Sequence, residues 1–316
     1  MPVASLLAAD LAVGFRSSPV GSQVSSDPWR WQPHPEVWFL VVSLIGLAIY
    51  AYRVIGPRVV PAGQPIATRR QKGFFIAAMV VLEVAADWPL HDLGEQYLYF
   101  LHMVQHLLLS FVFAPLLLLS IPAWLAHLLL DGDGVLPRWI RKLARPVPAG
   151  IIFNAYVVFS HWPGFVNTVV RVGELHFLAH LSLVLVSLLM WMPVVSPIPE
   201  WRITLPGQML YLFLMSVVPT VPSAWLIFAD KPVYSVYVRS YHLWGITPTQ
   251  DQQIAGLIMK LGGGMYLWTI ITVMFFTWAK RNEEADQRGL TPTERELLQW
   301  EQLPAHSVSS FELELA

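Results

Sequence analysis

The sequence contains no cysteine among its 316 residues. This absence excludes disulfide bonds, thiolate metal sites, iron–sulfur clusters and a cysteine nucleophile. Any metal site in the chain must therefore use histidine, methionine and carboxylate side chains. Because the chain has ten histidines, their positions are the first place to look for function.

Charged residues are also scarce. They make up 13% of the chain, against about a quarter in a typical soluble domain, whereas 55% of the residues are hydrophobic. So few charges could not cover a water-soluble protein of this size, and the composition predicts a polytopic membrane protein surrounded by membrane lipid. The formal net charge of −1 gives no basic excess, so nucleic acid is not an expected partner.

Seven apolar stretches come close to the roughly 20 residues that a helix needs to cross a bilayer. They are residues 36–55, 73–90, 97–120, 148–166, 174–195, 207–228 and 252–279. The segment 121–130 is too short to span, and we expect it at the membrane interface. The sequence therefore predicts an all-α membrane protein built as a bundle of seven transmembrane helices.

Lysine and arginine are concentrated at one set of helix ends. Basic clusters occur within 53–72, 138–145 and 280–295, whereas the opposite ends carry only isolated basic residues. Basic residues are enriched in cytoplasmic loops, so this bias places the N-terminus outside and the C-terminus in the cytoplasm.

This topology divides the chain into three parts. Residues 1–35 are predicted to be an extracytoplasmic segment, 36–279 the transmembrane domain, and 280–316 a cytoplasmic tail. A short helix is expected in the tail, with Thr291 as its N-cap. The first residues lack a basic region and a long apolar core, so we do not expect a cleaved signal peptide.

With this topology, eight of the ten histidines fall at the outer face. Two pairs have a spacing of four residues: His102 with His106 in the third span, and His176 with His180 in the fifth. Residues at positions i and i+4 share one face of a helix. Because both pairs lie near the outer ends of their helices, the spacing predicts a cage of four imidazoles. Ionisable residues inside membrane spans usually mark function.

Other polar or sulfur-containing residues are predicted to lie near the same level. His161 closes the fourth span at its outer end, Asp251 opens the seventh span, and Met259 lies further in. Glu83 and Asp87 lie near the outer end of the second span. For the carboxylates the alternatives are simple hydration at the interface or acceptance of the second ring N–H of a ligand histidine. For Met259 the alternative is ordinary apolar packing.

The donor set favours copper over other metal chemistry. Imidazole suits copper, zinc, iron and nickel, and thioether adds copper(I). An intramembrane zinc protease needs His-Glu-x-x-His, but the pairs read His-Met-Val-Gln-His and His-Phe-Leu-Ala-His. A spacing of four residues, about 6 Å along a helix, puts both ligands at one level and disfavours two stacked haems. A single haem held by one histidine of each pair remains an alternative.

Several motifs in the chain resemble a known family. HMVQHLLL at 102–109, LHFLAHLS at 175–182 and WGITPTQDQQIAGLIM at 244–259 are similar to segments of the CtaG family of multi-span cytochrome c oxidase assembly factors. The resemblance covers about residues 73–279. It implies a role in the bacterial plasma membrane, at the copper-supply step for the haem–copper oxidase. Carried over residue by residue, it implies the polar set His102, His106, His161, His176, His180, Asp251 and Met259.

Two positions depart from the pattern of that family. Ala179 stands where an acidic residue is expected before His180, and Lys260 stands where an aromatic residue is usual. The first change removes a carboxylate that could support a ligand histidine. The second places a charge at the inner edge of the predicted site.

The sequence thus predicts a membrane-bound copper-binding assembly factor that is not an enzyme. Copper is expected in a cage of His102, His106, His176 and His180, assisted by the other members of the polar set. The expected partners are the haem–copper oxidase subunits, reached directly or through an extracytoplasmic copper chaperone. The alternatives are an inward copper transporter and a b-type cytochrome with a histidine-ligated haem.

Overall fold

The computed structural model describes residues 27–238 and 242–287, which form helices and turns and contain no strand. The longer helices of this part, numbered in chain order, are α1 Pro35–Val59, α2 Arg69–Ala86, α3 Leu90–Gln96, α4 Tyr99–Ser120, α5 Ala123–Leu130, α6 Val135–Leu143, α7 Pro146–Ser160, α8 Pro163–Val169, α9 Gly173–Val195, α10 Leu205–Val217, α11 Thr220–Ile227 and α12 Pro248–Glu284. The helix expected near Thr291 lies outside the described residues.

Within residues 27–238 and 242–287, six helical segments are long and apolar enough to cross a membrane. They are α1, the run α2–α3, α4, α9, the run α10–α11 and α12. The pair α6–α7, which bends by 84° between its two helices, makes a seventh if it is counted as one span. The predicted all-α membrane class is therefore confirmed with six or seven spans, while the orientation of the termini stays a prediction.

The fourth span is shorter than the sequence pattern indicated. Helix α7 ends at Ser160 and has 15 residues, about 23 Å at 1.5 Å per residue, against a hydrocarbon core of about 30 Å. Arg145 takes an extended conformation before Pro146, as residues preceding proline commonly do, and this separates α7 from α6. Helix α6 exposes both Trp139 and Lys142, as expected of a helix that lies along an interface.

Helix α4 lies at the centre of the bundle. It is the most buried of the six spans and packs against α2, α3, α9 and α12. Its regular hydrogen-bonding pattern widens into a π-helical turn at Leu108–Phe113, and α12 has a similar turn at Ile258–Gly262. Such turns are frequent at functional sites. The turn in α4 follows His106, and the turn in α12 precedes the inner half of that helix.

Helix α3 packs against α4 at backbone distance. A Cβ atom added to Gly94 would lie 2.9 Å from the backbone nitrogen of His102, which is too close for any side chain. Glycine at this position therefore lets α3 approach the first histidine of α4 directly.

Candidate metal centre

The two histidine pairs meet between α4 and α9, as their spacing predicts. Within the pairs, the ring centroids are 4.3 Å apart for His102 and His106 and 4.4 Å apart for His176 and His180. Across the helices, His180 lies 5.2 Å from His102 and 5.1 Å from His106, again between ring centroids. All four imidazoles thus form one cluster, which we call the histidine cluster.

The ring nitrogens of the cluster are spaced as ligands of one ion. The Nε2 atoms of His106 and His180 are 3.2 Å apart. Two nitrogens that bind one tetrahedral ion at about 2.0 Å lie roughly 3.3 Å from each other. One ligand atom from each of His102, His106 and His180 lies within 4.8 Å of the other two. The geometry therefore suits a compact metal site.

Several buried nitrogens in and beside the cluster have no hydrogen-bond partner among the described residues. They are His102 Nδ1, His176 Nδ1 and His161 Nε2. Leaving a buried polar atom unpaired costs free energy, and such atoms are rare in native proteins. Lone pairs held in a buried imidazole cluster without partners fit a metal ligand set.

The cluster also contains a carboxylate, and the sequence pattern did not predict this group. Glu95 Oε1 lies 2.6 Å from His176 Nε2 and 3.4 Å from His91 Nε2. One ligand atom from each of Glu95, His176 and His180 lies within 4.8 Å of the other two. The cluster therefore contains a second group with ligand spacing, and this group includes a carboxylate.

His91 is oriented by a neighbour on α4. Gln105 Nε2 lies 3.0 Å from His91 Nδ1, and an amide N–H can only donate to that ring nitrogen. With Nδ1 as the acceptor, the proton of a neutral His91 resides on Nε2, the atom that faces Glu95. This arrangement orients His91 toward the Glu95 carboxylate. His91 and Glu95 are four residues apart on α3, and that spacing was the signal available in the sequence.

His161 lies at the border of the histidine cluster. It follows the last residue of α7, and its Nδ1 donates to the backbone oxygen of Val157 at 2.7 Å. Its ring centroid is 6.4 Å from that of His106. The bond to Val157 leaves Nε2 as the atom available to a ligand.

Met259 lies on the inner side of the cluster. With His106, His161, Met103 and Lys260 it lines a small cavity of about 50 Å³. The structure thus brings a thioether close to two of the predicted histidines, although the metal-binding role of Met259 stays a prediction.

Asp251 holds the start of α4. Its Oδ2 accepts from the backbone N–H of Tyr99 at 2.8 Å, and its Oδ1 accepts from that of Phe100 at 2.9 Å. These are free N–H groups of the first turn of a helix, where a carboxylate is favourable. Asp251 is not in either group of ligand-spaced atoms. Asp251 therefore positions the backbone at Tyr99, three residues before His102, and this contact stands beside its predicted assistance to the metal.

Of the second-span carboxylates, Asp87 lies apart from both ligand groups. Its Oδ2 accepts from Trp38 Nε1 at 2.8 Å, so it links α2 to α1. Glu83 belongs to neither group of ligand-spaced atoms. The carboxylate that reaches the histidines comes instead from α3.

A comparison with protein-family models identifies the family. A model described as cytochrome c oxidase caa3 assembly factor (Caa3_CtaG) matches residues 48–281. This range contains the whole histidine cluster, Glu95, Asp251 and Met259. No curated protein and no solved structure matches the chain.

Proposed function

The chain belongs to the Caa3_CtaG family of cytochrome c oxidase caa3 assembly factors, and we propose that it binds a copper ion at the histidine cluster as cargo for the oxidase. Membership of an assembly-factor family implies a non-catalytic role. In this proposal copper is held and then handed on.

One observation carries the proposal. His102, His106 and His180 present ligand atoms within 4.8 Å of one another in a buried part of the bundle, with His106 and His180 only 3.2 Å apart. Imidazole is a good donor for copper, and among the divalent metals of the first transition row copper binds such sites most strongly. The absence of cysteine leaves no competing thiolate in the chain.

The predicted orientation sets the direction of delivery. The cluster lies at the end of the bundle that the basic residues predict to be extracytoplasmic. Copper would be received there and passed to a haem–copper oxidase subunit in the bacterial plasma membrane, directly or through an extracytoplasmic chaperone. His161 and Met259 border the cluster on its inner side and would assist in holding the ion.

The geometry favours copper binding over the two alternatives. For the pair His106 and His180, the 3.2 Å between the Nε2 atoms is shorter than the roughly 4 Å expected across a haem iron with bonds of about 2.0 Å. A copper ion moving inward would meet the Lys260 ammonium, which donates to Thr220 Oγ1 at 2.6 Å. A like charge at that level opposes inward transport of a cation.

Metal analysis of the purified protein tests the proposal. We expect one copper per chain in the wild type and a loss of roughly tenfold or more in affinity for His180→Ala, which removes a residue common to both ligand groups. His127→Ala is the matched control, because the His127 side chain is 42% exposed and pairs with Asp131 away from the cluster. Equal copper binding by His180→Ala and His127→Ala would overturn the proposal.

The same preparations discriminate the alternatives. A visible spectrum with a Soret band and sharp α and β bands would identify a b-type cytochrome. Copper accumulation in proteoliposomes that contain the wild type would identify a transporter.

A further inference from the structure

The histidine cluster contains two ligand groups rather than one. The inner group is His102, His106 and His180, and the outer group is Glu95, His176 and His180. We propose that these groups are two overlapping positions for a single copper ion, which moves between them while His180 remains a ligand. The inference rests on the proposed copper-binding function and specifies how the ion enters and moves.

The outer group is a built site in its own right. Glu95 Oε1 is 2.6 Å from His176 Nε2, and both atoms are buried. His91 supports the carboxylate from the other side at 3.4 Å, and Gln105 in turn orients His91. Supporting contacts of this kind hold metal ligands in place.

The two groups differ in chemistry. The outer group adds a carboxylate, a negatively charged oxygen donor, to two imidazoles, whereas the inner group offers imidazole alone. A divalent ion arriving from the surface is attracted by the carboxylate charge. The inner group lies next to Met103 and Met259, whose thioethers favour copper(I). The ligands therefore change from a set that contains a carboxylate, suited to capture, to a set with softer neighbouring donors, and the copper ion keeps its oxidation state as it moves.

Sharing His180 makes the two positions exclusive. The ring of His180 lies 4.4 Å from His176 and 5.1 Å from His106 between centroids, so both groups converge on one imidazole. Two divalent ions this close would repel about four times as strongly as two unit charges at the same distance. Glu95 is the only carboxylate in either ligand group to offset that repulsion. One ion per chain, exchanged between positions, follows from this arrangement.

The copper ion can move from the outer group to the inner group without leaving the protein. A copper ion held by Glu95, His176 and His180 can gain His106, whose Nε2 is 3.2 Å from that of His180, before it leaves Glu95. The ion then releases Glu95 and His176 as His102 binds, which completes the inner group. Only bonds between copper and its ligands form and break in this step, and the oxidation state of copper does not change.

Copper(II) titration of the full-length chain in detergent tests the inference, with bound copper measured by metal analysis and its ligands by electron paramagnetic resonance. We expect one copper per wild-type chain. His102→Ala should still bind one copper, with altered resonance parameters, because the outer group remains. Adding Glu95→Gln to His102→Ala should reduce affinity at least about tenfold. Adding Glu174→Gln, an exposed carboxylate near the start of α9, is the matched control and should change nothing further.

Each contrary outcome has a definite meaning. Two coppers per wild-type chain would overturn single-ion exchange, and this measurement requires no variant to fold. Loss of all copper from His102→Ala, in protein that elutes as the wild type does, would overturn the outer position. Equal binding by the Glu95 and Glu174 double variants would do the same. In these cases a copper-binding wild type still supports the proposed function, whereas a wild type without copper affinity overturns both.

Discussion

At the scale of single residues, His34 differs from the cluster histidines because two carboxylates hold it. Its Nε2 lies 3.0 Å from Asp92 Oδ2, and its Nδ1 lies 3.2 Å from Glu36 Oε1. Burial lowers the pKa of His34, but the hydrogen bond and charge of Asp92, followed by those of Glu36, outweigh it and raise that pKa to about 9. His34 is therefore a cation at neutral pH, and it ties the start of α1 to α3, which carries Glu95.

This ion pair predicts a pH-dependent stability. A histidine whose pKa is raised from 6.5 to about 9 stabilises the folded state fully below about pH 6.5 and loses that contribution as the pH rises through about 9. We expect the thermal midpoint of the wild type in detergent to fall over this interval. His34→Gln should lower the midpoint by a few degrees at pH 6.5 and flatten the decline.

The control for this measurement is His127→Gln, because His127 is partly exposed and pairs with Asp131 just after the end of α5. It should leave the pH profile unchanged. A His34→Gln profile parallel to that of the wild type would contradict the assignment of the charge to His34.

At the scale of helices, the residue spacing predicted contacts within a helix but not across a turn. The i,i+4 pairs of α4 and α9 were predictable because a continuous helix fixes which side chains share a face. Glu95 was not, because α3 ends at Gln96 and the chain turns before α4 begins at Tyr99. A pattern along the chain cannot show how two helices pack, and here the packing depends on the direct contact of Gly94 with α4.

Helix boundaries show the same limit. The apolar run 148–166 was predicted as one span, but the helix stops at Ser160 because the chain turns at His161 and Trp162 before Pro163. Apolar composition extends across that turn, so hydropathy alone does not report it. The turn is what places His161 beside His106.

The start of α4 gives a prediction at this scale. Asp251 accepts from two backbone N–H groups there, so Asp251→Ala should destabilise the protein by about 1–2 kcal/mol. Asp251→Asn keeps one carbonyl acceptor and should lose less. Thermal unfolding of both variants in detergent, beside the exposed control Asp230→Ala, measures the effect.

Copper binding by the same variants separates the two roles of Asp251. If Asp251 positions α4, copper affinity should fall only in proportion to the loss of stability, and Asn should restore much of it. Complete loss of copper from Asp251→Asn with unchanged thermal stability would instead make Asp251 a ligand, as the family resemblance implies.

At the scale of the whole molecule, the bundle separates its chemistry from its basic charge. The histidine cluster, Glu95 and the His34 ion pair gather at one end of the helices, whereas the basic clusters around α6 and the end of α12 lie at the other. The family match at 48–281 covers the cluster and Asp92 but not His34, so this ion pair joins a residue outside the matched range to one inside it. Which end faces outward decides where the copper comes from.

The absence of cysteine makes that question directly measurable, because any introduced cysteine is the only thiol in the chain. Glu174→Cys lies at the cluster end of α9, and Asp133→Cys lies between α5 and α6 at the opposite end; both positions are exposed. A membrane-impermeant maleimide added to intact cells should label Glu174→Cys, whereas Asp133→Cys should react only after lysis. The cysteine-free parent is the control. The reverse labelling pattern would place the cluster in the cytoplasm, and copper would then have to reach it from inside the cell, which is incompatible with an extracytoplasmic donor.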